Sequence, residues 1–359
     1  MTVVEARGQA GGELPRGAPV RRISTITPMR DEGANVDSFV ADLAAQDFSG
    51  ELEALVADGG STDDSVERLR AAAARAGLEL TVVENRAGWV SPGLNLCIGR
   101  ARGDLIVRLD CHSRYPSDYL RRCAELAEET GAWNVGGRVV PGGETAMERA
   151  VACAMDSPFG GIGWTRMGGT EPVEVDTVTF GAFRPQAFER AGLFDEELIR
   201  NQDDEFNLRL REAGGRIVLD PTLTVNYRPR GSLRGVWRQY YEYGAWKVPV
   251  MLKHKQVLSL RSMAPLAFLA SLVALAALSP FSRVARLALI AELAAYVAGA
   301  VVFGARATRG RGEPWRLAPR VASVFPAFHL SYGIGMARGW LVAALRGARS
   351  GEAAKGRGR

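Results

Sequence analysis

Cysteine is sparse in this sequence and never patterned. Cys97, Cys111, Cys123 and Cys153 are the four in 359 residues. None forms a CxxC pair, which argues against a thiolate zinc site or a disulfide framework and fits a reducing compartment. No G-x-G-x-x-G joins an early strand to its helix, and no Walker A sequence occurs, so the two commonest nucleotide-binding fingerprints are missing. "GIGMARG" (Gly333–Gly339) has the wrong spacing and sits in an apolar segment, where small residues permit close helix packing. Nothing resembles a Ser–His–Asp triad. The first twenty residues, "MTVVEARGQAGGELPRGAPV", lack an apolar core and read as a disordered tail over 1–20. A signal peptide is not expected there, so the following domain should begin in the cytoplasm. The net charge of +5 is mild for the length. Distribution therefore matters more than total.

What is present changes character along the chain. Up to Tyr227 the sequence reads as a soluble α/β domain. From Arg228 to Arg261 it is basic and aromatic, with Glu242 the only acid, and after Ser262 it becomes rich in alanine and leucine. In the first part, "RRISTITP", "ELEALVAD", "LELTVVEN" and "DLIVRLD" read as strands, the first stopped by Pro28. "NVDSFVADLAAQ", "STDDSVERLRAAAARAG" and "SPGLNLCIGRARG" read as helices, the second ended by Gly77. Alternating strands and helices imply an α/β fold with a mostly parallel, doubly covered sheet. Ligands in such sheets bind beyond the carboxyl ends of the strands.

Those strand ends are polar. They read "PMRDE", "DGGSTDDS", "NRAGW" and "DCH" in order. Each alone could be a turn or a helix cap; four on one sheet edge are harder to dismiss. Further on, "NQDDEFNLRLREAGG" places Asp203, Phe206, Asn207 and Leu210 on one helical face, the inward one, and leaves Asp204 off it. Acids at a helix start also suit the macrodipole, which accounts for one or two of them.

This ordered set resembles family 2 glycosyltransferases with the GT-A fold. "VRLDCHSRYP", "SPFG", "VDTVTFGAFR" and "QYYEYGAWK" fit the succinoglycan-biosynthesis branch, and the likeness covers about Arg22 to Lys247. The resemblance implies a nucleotide-sugar donor, a UDP-sugar first, whose leaving diphosphate is stabilised by a divalent cation, Mg²⁺ or Mn²⁺. It assigns Asp110 to that cation, with His112 as second ligand or phosphate donor; imidazole suits Mn²⁺ better than Mg²⁺. Asp58 would accept hydrogen bonds from the base, and Pro28, Arg30 and Glu32 would line base and ribose. Arg86 and Asn95 lie where further donor contacts are expected, and read equally as polar residues closing a helix end. Asp203 aligns with the family's catalytic aspartate, with Gln202 in place of the usual glutamate; Asp204 is the alternative base. The resemblance further implies inverting, single-displacement transfer. Phe159 and Trp164 in "MDSPFGGIGWTRMGG", with Gln239 and Trp246 in "RQYYEYGAW", are expected on the acceptor side. Glu242 stands where processive relatives carry arginine, which leans towards a non-processive enzyme.

The expected domains are the α/β unit at 21–230, a basic interfacial segment at 231–261, a membrane region at 262–345 and a basic tail at 346–359. "APLAFLASLVALAAL" and "LALIAELAAYVAGAVVFG" each approach the ~20 residues a span needs. Glu292 should face a neighbouring helix or a cavity. A third run with Pro326, His329 and Arg338 either spans or lies in the interface. Basic flanks place both ends of a two-helix hairpin in the cytoplasm, at the inner membrane. The basic stretch suits lipid headgroups or a lipid-linked acceptor's phosphates, and nucleic acid is not expected. The expected function is therefore sugar transfer to a lipid-linked or cell-surface glycan. The rivals are transfer to a polyprenyl phosphate and a non-catalytic sugar-nucleotide-binding scaffold.

Overall fold

β-branched residues make "RISTITPM" strand β1 (Arg22–Met29), and most of its side chains are buried. That is the signature of a central parallel strand covered on both faces. The computed structural model describes residues 17–161, 169–256 and 260–356, with side chains to residue 345. The chain divides into two compact units, Met1–Val140 with Met167–Arg228, and Pro141–Arg166 with Pro229–Arg359.

The first unit alternates as expected. After β1 come α1 (Val36–Ala44), β2 (Glu51–Asp58), α2 (Ser65–Ala76), β3 (Glu79–Glu84), α3 (Val90–Ile98) and β4 (Leu105–Arg108). β3, β2, β1 and β4 pair in parallel, in that order. Pro28 does not stop β1: Met29 still accepts the Gly59 N–H at 2.8 Å, so the ladder runs past the proline. Gly77 does end α2, in the left-handed conformation at φ 67°.

Beyond β4 the sheet turns antiparallel. β5 (Ser113–Arg114), α4 (Tyr119–Thr130), β6 (Asn134–Pro141), β7 (Val173–Glu174), β8 (Ala182–Phe183), α6 (Pro185–Ala191), α7 (Gln202–Glu212) and β9 (Ile217–Tyr227) complete the unit, with α5 (Ala146–Asp156) intervening after β6. Among the described residues the sheet has nine strands, ordered β3-β2-β1-β4-β8-β6-β9-β5 with β7 on β9. β8 pairs antiparallel with both β4 and β6, so the sheet changes direction beside the end of β4. A core of Ile26, Leu55, Leu94, Ile106, Phe183, Phe188, Phe206 and Leu210 packs between α3, α6, α7 and the sheet.

The second unit holds α5, α8 (Leu233–His254), α9 (Ala264–Leu278), α10 (Arg283–Gly310) and α11 (Ala318–Gly356). Residues 141–161 thus fall outside the 21–230 unit expected from sequence. The reason is the apolar helix α5, started by a Thr145–Glu148 capping box and tied to the α10 end by the Arg311–Asp156 and Arg149–Glu313 ion pairs. Among the described residues, two helices are long and apolar enough to cross a membrane, over Leu260–Leu278 and Arg283–Gly310. Glu292 on α10 accepts from Ser271 Oγ of α9 at 2.8 Å, facing the neighbouring helix as anticipated. The third apolar run lies in α11, where Val321, Val324, Phe325, Phe328 and Met336 are buried within this unit. Gly335 and Gly339 of "GIGMARG" bring α11 against the α8 backbone, the packing role read from their size.

Candidate active site

The first two strand ends are laced together. Asp31 takes the left-handed conformation at φ 52°; its N–H donates to Ser61 Oγ at 3.0 Å and its carboxylate accepts from Thr62 N–H at 2.7 Å. Glu32 N–H donates to Ser65 Oγ at 2.8 Å, and Gly33 N–H to Asp63 at 3.1 Å. Asp58 closes its own turn, accepting from Ser61 N–H at 3.1 Å and Ser61 Oγ at 2.6 Å. A short side chain reaching the backbone a few residues on is what fixes such a turn. Arg30 is exposed above it.

The Asp-x-His strand end joins this group. Asp110 N–H donates to the buried Tyr115 hydroxyl at 2.8 Å, which pins the carboxylate's backbone. His112 Nδ1 lies 3.2 Å from Glu32 Oε1, and Asn35 Nδ2 donates to Glu32 Oε2 at 2.6 Å. Glu32 is thus a partner of His112, a relation its expected role at base and ribose did not anticipate. Asp110 and His112 each keep accessible surface, with side chains 14% and 38% exposed.

α7 then brings in the acids. Asn201 caps it in the left-handed region at φ 62°, and Asp203, Asp204 and Glu205 fill the first turn. The three acids take three different partners. Asp203 pairs with Arg108, the last residue of β4. Asp204 accepts from Thr177 Oγ1 at 3.3 Å. Glu205 is fully buried in a bidentate pair with Arg209, both contacts at 2.8 Å. Phe206, Asn207 and Leu210 are buried, so the face that carries Asp203 is the inward one. Burial pushes the Asp203 carboxyl up to about 6; Arg108 pulls it back, and Asp110 and Asp204 add to the rise. Arg108 is buried too, which works against its charge, yet Asp110 and Asp203 hold it firmly cationic.

Two expected donor contacts are not brought here. Arg86 is exposed and paired with Glu84 at 3.1 Å. Asn95 is buried and spent on the segment that leads to α7: it donates to Phe194 O and Glu196 Oε1, both at 2.9 Å, and accepts from Phe194 N–H at 3.0 Å. Of the acceptor-side residues, Phe159 sits in the helical unit, stacked on Phe303 and edge-on to Phe325 and His329. Its ring is engaged by protein on several sides. Gln239 donates to Tyr243 along α8 at 2.9 Å, and Trp246 lies on the same helix. Trp164 lies outside the described residues. Arg108 and Tyr115 are the residues that sequence reasoning missed. The signal for Arg108 was a lone cation inside the apolar run "LIVRLD".

A sheet that changes direction beside an Asp-x-His strand end, with laced acidic turns and a helix-borne aspartate, has the architecture of the GT-A fold. Comparison agrees. Residues 24–181 match a family model described as Glycosyl transferase family 2. The succinoglycan biosynthesis protein ExoA of Rhizobium meliloti is 29% identical over 243 residues, 67% of this chain and 73% of that protein. A Methanococcus voltae dolichyl N-acetyl-glucosaminyl phosphate glucuronosyltransferase (a 2,3-diacetamido-2,3-dideoxy sugar in its full name) is 26% identical, over 63% of this chain and 72% of that one. Among solved structures, a mannosyltransferase from Pyrobaculum calidifontis, in complex with GDP-Man and Mn²⁺, shares the fold at a TM-score of 0.61 with 18% identity, covering 90% of each chain. Residues 24–181 are thus similar to family 2 glycosyltransferases, and the chain has the GT-A fold.

Proposed function

We propose that this is a membrane-anchored, inverting glycosyltransferase that moves a sugar from a nucleotide-sugar donor, a UDP-sugar first, to a hydroxyl of a lipid-linked or cell-surface glycan. The observation that carries the reading is Asp203: a half-buried carboxylate held beside the β4 strand end, with its pKa raised to about 6. A base tuned near the working pH takes a proton efficiently from an attacking hydroxyl. Asp203 is preferred to Asp204 because it faces Arg108 and the Asp110 strand end, whereas Asp204 is held by Thr177.

The donor set fits a divalent cation. Asp110 offers carboxylate oxygens whose Arg108 contacts are long, at 3.4 Å, and His112 adds an imidazole beside it in the chain. No group of three or more His, Cys, Asp and Glu side chains able to hold a metal gathers among the described residues. Donor phosphates and water would complete such a shell, as is usual for Mg²⁺. The cation's chemistry would be to offset the charge that develops on the leaving diphosphate. Asp110 and His112 would bind it, Glu32 would orient His112, and Asp58 would receive the base.

Membrane anchoring rests on α9 and α10, whose outer faces are apolar and uncovered; Phe281 between them is 88% exposed. At ~1.5 Å per residue, the 28 residues of α10 outspan a ~30 Å hydrocarbon core. Basic residues flank the hairpin's open end, Lys253, Lys255 and Arg261 before it and Arg306, Arg309, Arg311 and Arg316 after it. That charge bias favours the cytoplasmic side of the inner membrane for both ends. The exposed Arg234, Trp237 and Arg238 of α8 suit an anionic interface.

The test is a screen of UDP-, GDP- and dTDP-sugars on detergent-solubilised protein, following nucleotide diphosphate release with Mg²⁺, Mn²⁺ or chelator. Metal-dependent release from one donor is the expected result. Absence of both release and donor binding would overturn the reading in favour of a scaffold.

A further inference from the structure

Arg108 spreads one buried guanidinium over two carboxylates. Its backbone is fixed on both sides: the N–H donates to Gly181 O at 2.9 Å, and its Cα pairs with Ile26 of β1. The side chain is 6% exposed. Nη1 goes to Asp203, Nη2 reaches both Asp110 oxygens at 3.4 Å, and Nε has no partner. An arginine kept for stability alone has a better option nearby: Arg209 forks onto Glu205 with two 2.8 Å contacts. Arg108 forgoes that geometry, which is the strong one for a buried pair. Its contact with Asp203 is close, and its contact with Asp110 is loose.

We propose that Arg108 is a positioning residue that holds the Asp203 carboxylate at the reaction centre and shares its charge with Asp110 until Asp110 engages a cation. The inference rests on Asp203 being the base. Arg108 keeps two like charges, Asp110 and Asp203, in one pocket; with Asp110 engaged, its charge serves Asp203 alone. Arg108, Asp110 and Asp204 are the charged groups that act on Asp203. Donor-side readiness and base readiness are thereby joined through one side chain.

The test uses full-length, detergent-solubilised protein and the variants Arg108→Gln, Arg108→Lys and Asp203→Asn, with folding checked by thermal melting. Mn²⁺ binding in the presence of UDP, read by the EPR signal of free Mn²⁺, is one probe. UDP release from UDP-sugars with water as acceptor is the other. Arg108→Gln removes a cation next to Asp110, so Mn²⁺ should bind roughly tenfold tighter while kcat falls at least about tenfold with little change in KM. Its rate should also need a higher pH than wild type. Arg108→Lys keeps the charge but cannot span both carboxylates, so Mn²⁺ affinity stays near wild type while kcat still falls; it carries the test if the Gln variant does not fold. Wild-type kcat in the folded variants, or Mn²⁺ binding weakened together with turnover, would overturn the proposal. Persistence of turnover in Asp203→Asn would instead overturn the base assignment on which it rests.

Discussion

His112 Nδ1 and Glu32 Oε1 meet at 3.2 Å across 80 residues of chain, joining the ends of β4 and β1. A carboxylate can only accept, so Nδ1–H donates, and Nε2 becomes the ring nitrogen able to act as a ligand. A carboxylate behind an imidazole is the usual way a metal-binding histidine is oriented. The pair therefore gives the Asp-x-His strand end a built orientation.

If His112 ligates, metal preference depends on it. Imidazole suits Mn²⁺ more than Mg²⁺. His112→Ala should lose Mn²⁺-supported turnover by at least about tenfold while Mg²⁺-supported turnover falls less, in line with the roughly 10–100-fold cost of weakened metal sites. Equal losses with the two ions would assign His112 to the phosphates instead.

Asp203→Asn keeps the side chain's size and removes the proton acceptor. Donor binding should survive, and transfer to a hydroxyl should fall about 100-fold or more. Asp204→Asn should fall much less, because Asp204 is tied to Thr177 rather than to the β4 end. A lipid-phosphate acceptor needs no base, so near-wild-type transfer in Asp203→Asn would point to polyprenyl-phosphate chemistry.

The pH profile follows from the same residue. Asp203 titrates near 6 in the fold, above its ordinary 3.8. Below about pH 6 it is protonated and cannot accept the hydroxyl proton, so kcat/KM should rise with pH and level off above about 7. The stability sign is opposite. The folded state holds this proton more tightly than the unfolded chain, so Asp203's contribution is fully present below about 4 and is lost as pH rises through about 6. An acid limb that stays unchanged in Asp203→Asn would mean that Asp203 is not the group observed.

Much of this was legible in the sequence because it is local. β1 to β4 alternate with helices at regular spacing, and their polar ends follow directly from that order. Asp203 could be placed on the inward face because Phe206, Asn207 and Leu210 share its period. The antiparallel half was not legible: β5, β7 and β8 are two residues each, too short for any alternation to show. Arg108 escaped because its partner Asp203 is 95 residues away, and the hydrogen bonds of Asn95 could not be read because its partners lie 99 to 101 residues on. α5 was counted with the α/β unit because chain order says nothing about which core an apolar helix joins.

Asn95 carries a stability prediction in place of a donor one. Asn95→Ala removes three hydrogen bonds and leaves the Phe194 N–H and C=O without those partners in a buried place. The cost should be about 2–4 kcal/mol, several degrees of melting temperature. Because the segment from Phe194 leads into α7, kcat should fall with it, while UDP binding changes little. Loss of UDP binding with an unchanged melting temperature would restore Asn95 to the donor site.

The last prediction concerns the helical unit, where two glycines give opposite signs. A Cβ at Gly335 of α11 would lie 2.1 Å from Tyr241 O and 2.9 Å from Ala245 N of α8. Both are backbone atoms, so no side chain can swing aside; the helices must separate. Gly244 of α8 stands in the same relation to Tyr332 O, at 2.1 Å, so the contact is made glycine to backbone from both sides. Gly335→Ala should therefore destabilise this unit by about 1–3 kcal/mol, the usual cost of overpacking. Gly310 ends α10, and a methyl added there would meet nothing within 4 Å. There the same change should be neutral or stabilising by up to about 1 kcal/mol, because alanine has less backbone entropy to lose. Thermal melting of the two variants in one detergent separates packing from propensity. A Gly335→Ala melting temperature at or above that of Gly310→Ala would mean that α8 and α11 do not pack through these glycines.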